Sequence, residues 1–412
     1  MSQSASGAVS PREPVDPADW PASVEALGRT PGTPTATAPA LAELTTLRVG
    51  GPVGDYVETT SEAGLIDAVR QADADSVPLL VIGGGSNILA ADAGFEGVVV
   101  RDARAEVDLV TDDPCGGVQV TATAGTTWDD LVRRAVASHW GGFAALSGIP
   151  GTVGAAPVQN IGAYGAEVAE LLASVRAWDR AAGRTVHIPL SELRLTYRDS
   201  ALKRSLTDPD VGAGRTWGPT GRWVVLSVTF HVHRASLSAP IAYSQLAGAL
   251  DVEMGARVDA REVREAVLAL RRSKGMVLDA ADHDTWSAGS FFTNPVLTDA
   301  EAAALPEGAP RYPVTDHTRV VAGTRKAPVV DGLIKTSAAW LIDHAGFSKG
   351  FAVHGSDGAS APASLSTRHV LALTNRGGAT AADIVALRET IVEGVRERYG
   401  ITLVPEPVAV GW

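Results

Sequence analysis

The chain has 412 residues, 45% of them hydrophobic, and carries 35 Lys and Arg against 47 Asp and Glu, for a formal net charge of −12. That length is enough for two or three packed domains. The acidic balance argues against a general nucleic-acid binder, which meets phosphates with clustered Lys and Arg, while leaving room for a small anion held by a few local cations. The start, Met-Ser-Gln-Ser-Ala-Ser-Gly, has no basic stretch before an apolar core, and no run approaches ~18 apolar residues, so no membrane span is expected and the cytoplasm is the expected location. The single cysteine, Cys115 in Asp-Asp-Pro-Cys-Gly-Gly, cannot build a disulfide framework or thiolate cluster and reads as a loop thiol.

Residues 1 to about 40 are rich in Pro, Ser, Ala and Thr and show no periodicity, as expected of a disordered extension. From Leu44 the pattern changes. Ser61 is placed to cap a helix carrying Leu65, Ile66 and Val69, and Val77 to Ile82 reads as a buried strand ending on glycines. Thr126 with Asp129 resembles a capping box for a helix through Leu131 and Ala135. Residues 205–221 read as a surface hairpin or loop, and Trp223 to His233 alternates like a half-exposed strand. A domain boundary is expected between His233 and Ile241. Beyond it, Asp259 and Glu262 cap a helix with Val263, Ala266, Val267 and Leu270 on one face and a basic last turn, Arg271, Arg272 and Lys274, that complements the helix dipole. Thr380 opens a second amphipathic helix with Ile384, Leu387, Ile391 and Val395, ending at Gly400.

Two glycine-rich segments carry chemistry. Leu79-Leu-Val-Ile-Gly-Gly-Gly-Ser-Asn delivers Gly83, Gly84, Gly85, Ser86 and Asn87 at a strand end, where bare backbone N–H groups can approach a pyrophosphate. It is not the Rossmann fingerprint, whose third glycine would fall on Ile88. A purely structural turn is the alternative. The second segment, from Ser147 to Gly165, has glycines at 148, 151, 154, 162 and 165. So bare a backbone suits a flat ligand such as an isoalloxazine ring, walled by Ile161 and Tyr164; the alternative is a tight inter-domain crossing. Further on, Ser-Ala-Gly-Ser-Phe-Phe-Thr-Asn-Pro (287–295) sets Ser290 between a flexible Ala-Gly pair and two aromatics, as though to hold one proton donor still.

Thr46-Leu-Arg-Val-Gly-Gly, Gly-Gly-Gly-Ser-Asn-Ile-Leu (83–89), the run from Gly148 to Gly165, Tyr-Arg-Asp-Ser (197–200), Gly-Ser-Phe-Phe-Thr-Asn-Pro (289–295) and Ala-Trp-Leu-Ile-Asp (339–343) occur in order as in the UDP-N-acetylenolpyruvoylglucosamine reductases, also called UDP-N-acetylmuramate dehydrogenases. The resemblance runs from about Leu44 to the C-terminus. It implies an α+β protein: residues 41–237 an FAD-binding domain of the vanillyl-alcohol-oxidase/PCMH type in two α/β subdomains, and 238–412 a C-terminal α/β substrate-binding domain whose last residues return to the active site. It further implies FAD as cofactor, NADPH as co-substrate and a monomer that reduces the enolpyruvyl double bond of UDP-N-acetylglucosamine-enolpyruvate, with no metal.

By that resemblance Ser290 protonates the substrate carbon, Arg198 stabilises the enolate, and Glu406, stiffened by Pro405 and Pro407, assists as a buried carboxyl of raised pKa. Arg48, Gly83, Gly84, Gly85, Ser86, Asn87, Gly148, Gly151, Gly154, Ile161, Gly162 and Tyr164 would hold the cofactor; Tyr243, Lys274 and Asn294 would hold substrate. Each catalytic assignment has a structural alternative: Ser290 bonding its own loop, Arg198 paired with Asp199 or Glu192, and Glu406 as a solvated tail residue. The stretches 275–287, 308–330 and 355–361 look longer than in relatives, which leaves the pocket's shape and the role of Lys335 open. His344, His354 and His369 fit no metal-ligand spacing. Two other classes compete. An oxidase of the same flavin fold is disfavoured by the absence of a histidine between Met1 and Ser138 for covalent flavin attachment, and a redox-silent UDP-sugar sensor by the filled catalytic positions.

Overall fold

The computed structural model describes residues 38–113, 116–316, 328–354 and 360–412. The expectations for residues 1–37, for Cys115 and for 317–327 and 355–359 within the longer stretches lie outside the described residues.

The first unit is a parallel three-stranded sheet in the order Val53–Thr59, Phe95–Asp102, Leu79–Ile82. Ser61 caps the helix Glu62–Ala74 by accepting from the Gly64 amide, and Leu65, Ala68, Val69 and Ala72 bury the helix against the sheet. The buried strand Leu79–Ile82 then delivers the Gly83–Gly85 turn to the sheet's edge.

The second unit is a five-stranded antiparallel sheet in the order Arg184–Pro189, Leu172–Asp179, Trp223–Val232, Gly117–Thr123, Val107–Asp113. Trp128, Phe143 and Phe230, each fully buried with ring centroids 5.4 to 6.2 Å apart, form the middle of its core. The helix expected from Thr126 spans Trp128–Ala137 instead, one turn position later. Thr126 Oγ1 is drawn to the Glu106 carbonyl at 3.2 Å, and Asp129 turns from capping to accept from Arg264 and from the Gly148 amide. Tertiary partners thus override the local capping pattern.

The helices Ser244–Ala249 and Ala260–Ser273 bury Leu246, Ala247, Val263 and Val267 in this same core. By packing, residues 241–273 share the core of the second unit across the expected boundary at 237 and 238. Nothing in local composition marks this, because an apolar helix face does not name its partner.

The C-terminal unit combines two three-stranded antiparallel sheets with the helix Ala381–Tyr399. Thr380 and Asp383 form its capping box, Ala381, Ile384, Leu387, Ile391 and Val395 are buried, and Gly400 ends it at φ 69°. Leu47, Val49 and Leu89 from the first unit join this core. The last strand, Val408–Val410, pairs in parallel with Ile88–Ala90, which ties the chain's end to the strand that follows the glycine turn. Among the described residues no helix is long and apolar enough to cross a membrane.

Asp284 fastens the linker at 283–285 to the C-terminal unit. It is 5% exposed and accepts from the Thr367 amide at 2.9 Å, the Thr367 hydroxyl at 2.5 Å and Arg376 at 2.7 Å. Burial alone would raise its carboxyl, but the Thr367 and Arg376 hydrogen bonds outweigh that and hold it at about 2, below an ordinary 3.8. A depressed folded pKa gives stability that is full above the unfolded value and lost as pH falls through the folded one. Asp284→Asn should therefore cost about 3 kcal/mol near neutral pH, with the deficit narrowing as the pH drops from about 4 toward 2. Urea unfolding at several pH values checks this, and a deficit independent of pH would show that the charge is not what stabilises.

Candidate active site

A cleft of about 1160 Å³ opens between the first two units, lined by Gly83–Asn87, Thr152, Gly154, Gln159, Lys203 and Thr220 among others. Its floor is two loops packed on each other. A Cβ on Gly84 would lie 2.8 Å from the Gly151 Cα, and one on Gly85, at φ 60°, would overlap the Leu44 carbonyl. Only glycine allows this approach, and the bare turn it leaves lines the cleft.

A second cleft of about 1200 Å³ continues from the first, sharing Ser86, Asn87, Thr152, Ala155 and Gln159 with it. Arg198, Glu406, Ser290, Tyr164, Tyr243 and Lys274 line it, together with Ile161, Gly162, Arg271 and His369. Three residues distant in sequence thereby meet in one cavity: Arg198, Ser290 and Glu406.

Local structure fixes each of them. Thr196 and Asp199 exchange backbone hydrogen bonds of 3.0 and 3.2 Å, a turn that sets Arg198 at φ 56°. Arg198 Nη2 donates to the Gly162 carbonyl at 2.9 Å and Nη1 to the Asn160 carbonyl at 3.3 Å. Its Nε lies 3.6 Å from Glu406 Oε1, so its acidic partner is Glu406; Asp199 pairs with Arg204 instead. Ser200 Oγ caps the next short helix by accepting from the Lys203 amide, and donates to the Val158 carbonyl, which anchors the turn to the glycine-rich segment. Asn160, fully buried, bonds both Glu167 and the Thr196 carbonyl.

Glu406 is no solvated tail residue: its side chain is 13% exposed and its amide donates to the Phe291 carbonyl at 2.8 Å. The Thr293 amide donates to the Val404 carbonyl at 3.0 Å, and the Phe291 amide to the Leu371 carbonyl at 2.8 Å. The Ser290 loop is thus clamped between the C-terminal tail and the 366–375 segment, over the fully buried Phe291 and Phe292. Among the described residues, Ser290 Oγ makes no hydrogen bond to its own loop.

The second cleft's lining carries three permanent cations, Arg198, Arg271 and Lys274, against one carboxylate, Glu406, in a chain that is acidic as a whole. Burial pushes the Lys274 ammonium down, with Arg271 adding to the effect, and lowers the Arg271 guanidinium as well. Lys274 Nζ donates to Gln245 Oε1 at 2.6 Å and sits 5.8 Å over the Tyr164 ring; Tyr164 meets Tyr243 edge-on at 5.6 Å. Such a corner suits an anion flanked by an apolar group.

Residues 55–189 match the FAD binding domain family, and residues 281–410 match the family described as UDP-N-acetylenolpyruvoylglucosamine reductase, C-terminal domain. The chain is 48% identical to UDP-N-acetylenolpyruvoylglucosamine reductase of Cutibacterium acnes over 371 residues, 90% of this chain and 89% of that protein. Against the protein of the same name from Nocardia farcinica the identity is 51%, covering 90% of this chain and 88% of the other. The chain belongs to the UDP-N-acetylenolpyruvoylglucosamine reductase family. In fold it is similar to UDP-N-acetylenolpyruvylglucosamine reductase from Thermus caldophilus, with a TM-score of 0.55 and 24% identity over 90% of this chain and 97% of that one.

The FAD-binding match spans both glycine segments, and the residues present fit such a cofactor. The cradle is one a Cβ would fill, and two buried polar atoms, Gln159 Nε2 and Arg198 Nε, have no protein hydrogen-bond partner where the clefts run. Four residues expected at the family's site lie off the clefts. Arg48 stacks on Trp286 at 3.9 Å. Gly148 donates its amide to Asp129 at 2.6 Å and accepts from Arg271 at 3.1 Å, while Gly151 lies beneath Gly84. The Asn294 side chain accepts from the Ala338 amide at 3.0 Å, holding a helix start. Lys335 stands 4.4 Å over the Tyr197 ring, outside both linings, its ammonium lowered by burial.

Conversely, Arg271 is no surface charge at a helix end. Four residues after Val267, it continues the helix's buried stripe and reaches into the second cleft, with Nε on the Gly148 carbonyl and Nη2 on the Met276 carbonyl at 2.8 Å. That spacing was the available signal. Gln159 and Lys203 carried no such signal, since each enters the first cleft from a four-residue helix, Ala156–Gln159 or Ala201–Arg204, too short to show a periodic stripe. Among the described residues no group of His, Cys, Asp and Glu could hold a metal ion.

Proposed function

We propose that this protein is an NADPH-dependent flavoenzyme that reduces the enolpyruvyl double bond of UDP-N-acetylglucosamine-enolpyruvate to UDP-N-acetylmuramate, a peptidoglycan precursor, in the cytoplasm. The observation that carries this reading is the meeting of Arg198, Ser290 and Glu406 in a cation-lined cleft continuous with the glycine cradle. Gly83 to Asn87, Gly154, Ile161, Gly162 and Tyr164 hold the FAD. Bound there, FAD would supply the relay of a hydride from NADPH to the methylene carbon of the enolpyruvyl group.

The chain's own residues supply the rest. Arg198, with two nitrogens committed to backbone carbonyls, cannot swing away and presents a fixed positive charge where the substrate carboxylate gains enolate character. Glu406 sets the guanidinium's orientation from the other side. Ser290 Oγ donates the proton to the carbon next to the carboxylate, and the surrounding cations favour the alkoxide left behind. Arg271 and Lys274, with Tyr243 closing over them, receive the diphosphate.

The test is NADPH consumption by the purified holoenzyme without oxygen. Multiple turnovers only with UDP-N-acetylglucosamine-enolpyruvate are expected. A single stoichiometric bleaching of the flavin that this substrate does not relieve, but oxygen does, would favour an oxidase instead.

A further inference from the structure

His369 lines the second cleft without any hydrogen bond from its ring to the described protein, and has no part in the proposed reaction. Its position is set by backbone. Its amide donates to Ser366 Oγ at 3.3 Å, its carbonyl accepts from the Ala372 amide at 3.1 Å, and two residues on, the Leu371 carbonyl accepts from the Phe291 amide beside Ser290. The imidazole is thus fixed on the turn between the strands Ser360–Leu365 and Leu373–Asn375 that braces the proton-donor loop.

The charges that bear most on the ring are cations, Lys274 and Arg271 from the helix Ala260–Ser273 and its cap and Lys349 from the turn after the helix Ala338–His344, while Glu406, the carboxylate of the same cleft, pairs with Arg198. Burial, and then these three charges, push the imidazole down to about 4, so at neutral pH it is an uncharged donor and acceptor. An anion entering this corner reverses the local field: its negative charge offsets the three cations and favours a proton on His369.

We propose that His369 is a positioning residue for the diphosphate of the nucleotide-sugar substrate, and that binding this anion is coupled to proton uptake by its imidazole. The inference rests on the reading of the cleft as the site of a UDP-sugar. By linkage, the ligand then binds more tightly as the pH falls, and the bound ligand raises the proton affinity of the ring by the same factor. His369 would thereby make substrate capture, rather than the chemical step, sensitive to acidification.

The experiment is calorimetric titration of the FAD-loaded wild type and of His369→Gln with UDP-N-acetylglucosamine. This diphosphodiester has no proton of its own to exchange in the range used. Buffers of differing ionisation enthalpy at pH 5.5 and 7.5 report protons taken up. For wild type, uptake at pH 5.5 and an affinity roughly tenfold higher than at pH 7.5 are expected, the gain that follows if the bound anion brings the ring from about 4 back to its ordinary 6.5. For His369→Gln, uptake should vanish and the affinity become flat with pH, while KM for the enolpyruvyl substrate rises more than kcat falls. Binding by wild type without proton uptake overturns the proposal even if the variant does not fold, as does equal uptake by the two proteins. Turnover of UDP-N-acetylglucosamine-enolpyruvate by the same wild-type preparation separates the outcomes: turnover without uptake removes only the role of His369, and no turnover removes the functional reading beneath it.

Discussion

Ser290→Ala should leave reduction of the bound FAD by NADPH close to the wild-type rate while slowing its reoxidation by UDP-N-acetylglucosamine-enolpyruvate by about 10²–10⁴-fold, the range of a positioned general acid. The asymmetry follows from where the hydroxyl stands. Ser290 lines the second cleft and bonds nothing in its own loop, while the loop is held by the amides of Phe291, Thr293 and Glu406, none of which needs the serine side chain. Removing one oxygen therefore leaves the clamp and the glycine cradle intact and takes away only the proton. Stopped-flow measurements without oxygen separate the two half-reactions. Equal loss of both would mean that Ser290 supports the site's shape, and the proton donor would have to be sought elsewhere.

Arg198→Lys should lower kcat by about 10²–10³-fold with the protein still folded and FAD still bound, the usual cost of losing a preorganised donor to developing negative charge. Lysine keeps the charge but not the fork. It cannot serve the Asn160 and Gly162 carbonyls, on the 3.3 and 2.9 Å bonds that now fix the guanidinium, and also stand beside Glu406. Glu406→Gln should do less alone, because the Arg198 bonds to backbone persist. The double variant should fall short of the summed losses, as expected of groups acting as a unit. Steady-state kinetics on the four proteins of this cycle decide the matter. Strict additivity would show that Glu406 and Arg198 act independently and that their 3.6 Å contact is incidental.

How much of this was legible beforehand differs from element to element. The helix Ala381–Tyr399 was readable almost to the residue, because its capping box, its three- and four-residue apolar spacing and its terminal glycine are all local. The same rules misplaced the helix start near Thr126, where Glu106, Arg264 and Gly148, remote in sequence, compete for Thr126 and Asp129. They also left open where residues 241–273 pack, since amphipathicity shows that a face is buried but not against what. Arg271 looked like dipole complementation because its charge and position fit that role; only the packing of Val263 and Val267 turns it into the cleft.

By itself, the sequence determined the family, the two glycine turns and the ordered motifs that belong to an FAD-binding reductase, because backbone clearance and local capping depend on residues close together in the chain. What only the tertiary structure decided is which of the quoted residues share a cavity. Ser290, Arg198 and Glu406 do, as do Arg271 and His369, whereas Arg48, Gly148, Gly151 and Asn294 are not among the residues lining it. That division rests on strand pairing and core packing between segments up to some three hundred residues apart, such as Val408–Val410 with Ile88–Ala90. No short motif encodes contacts made at that separation.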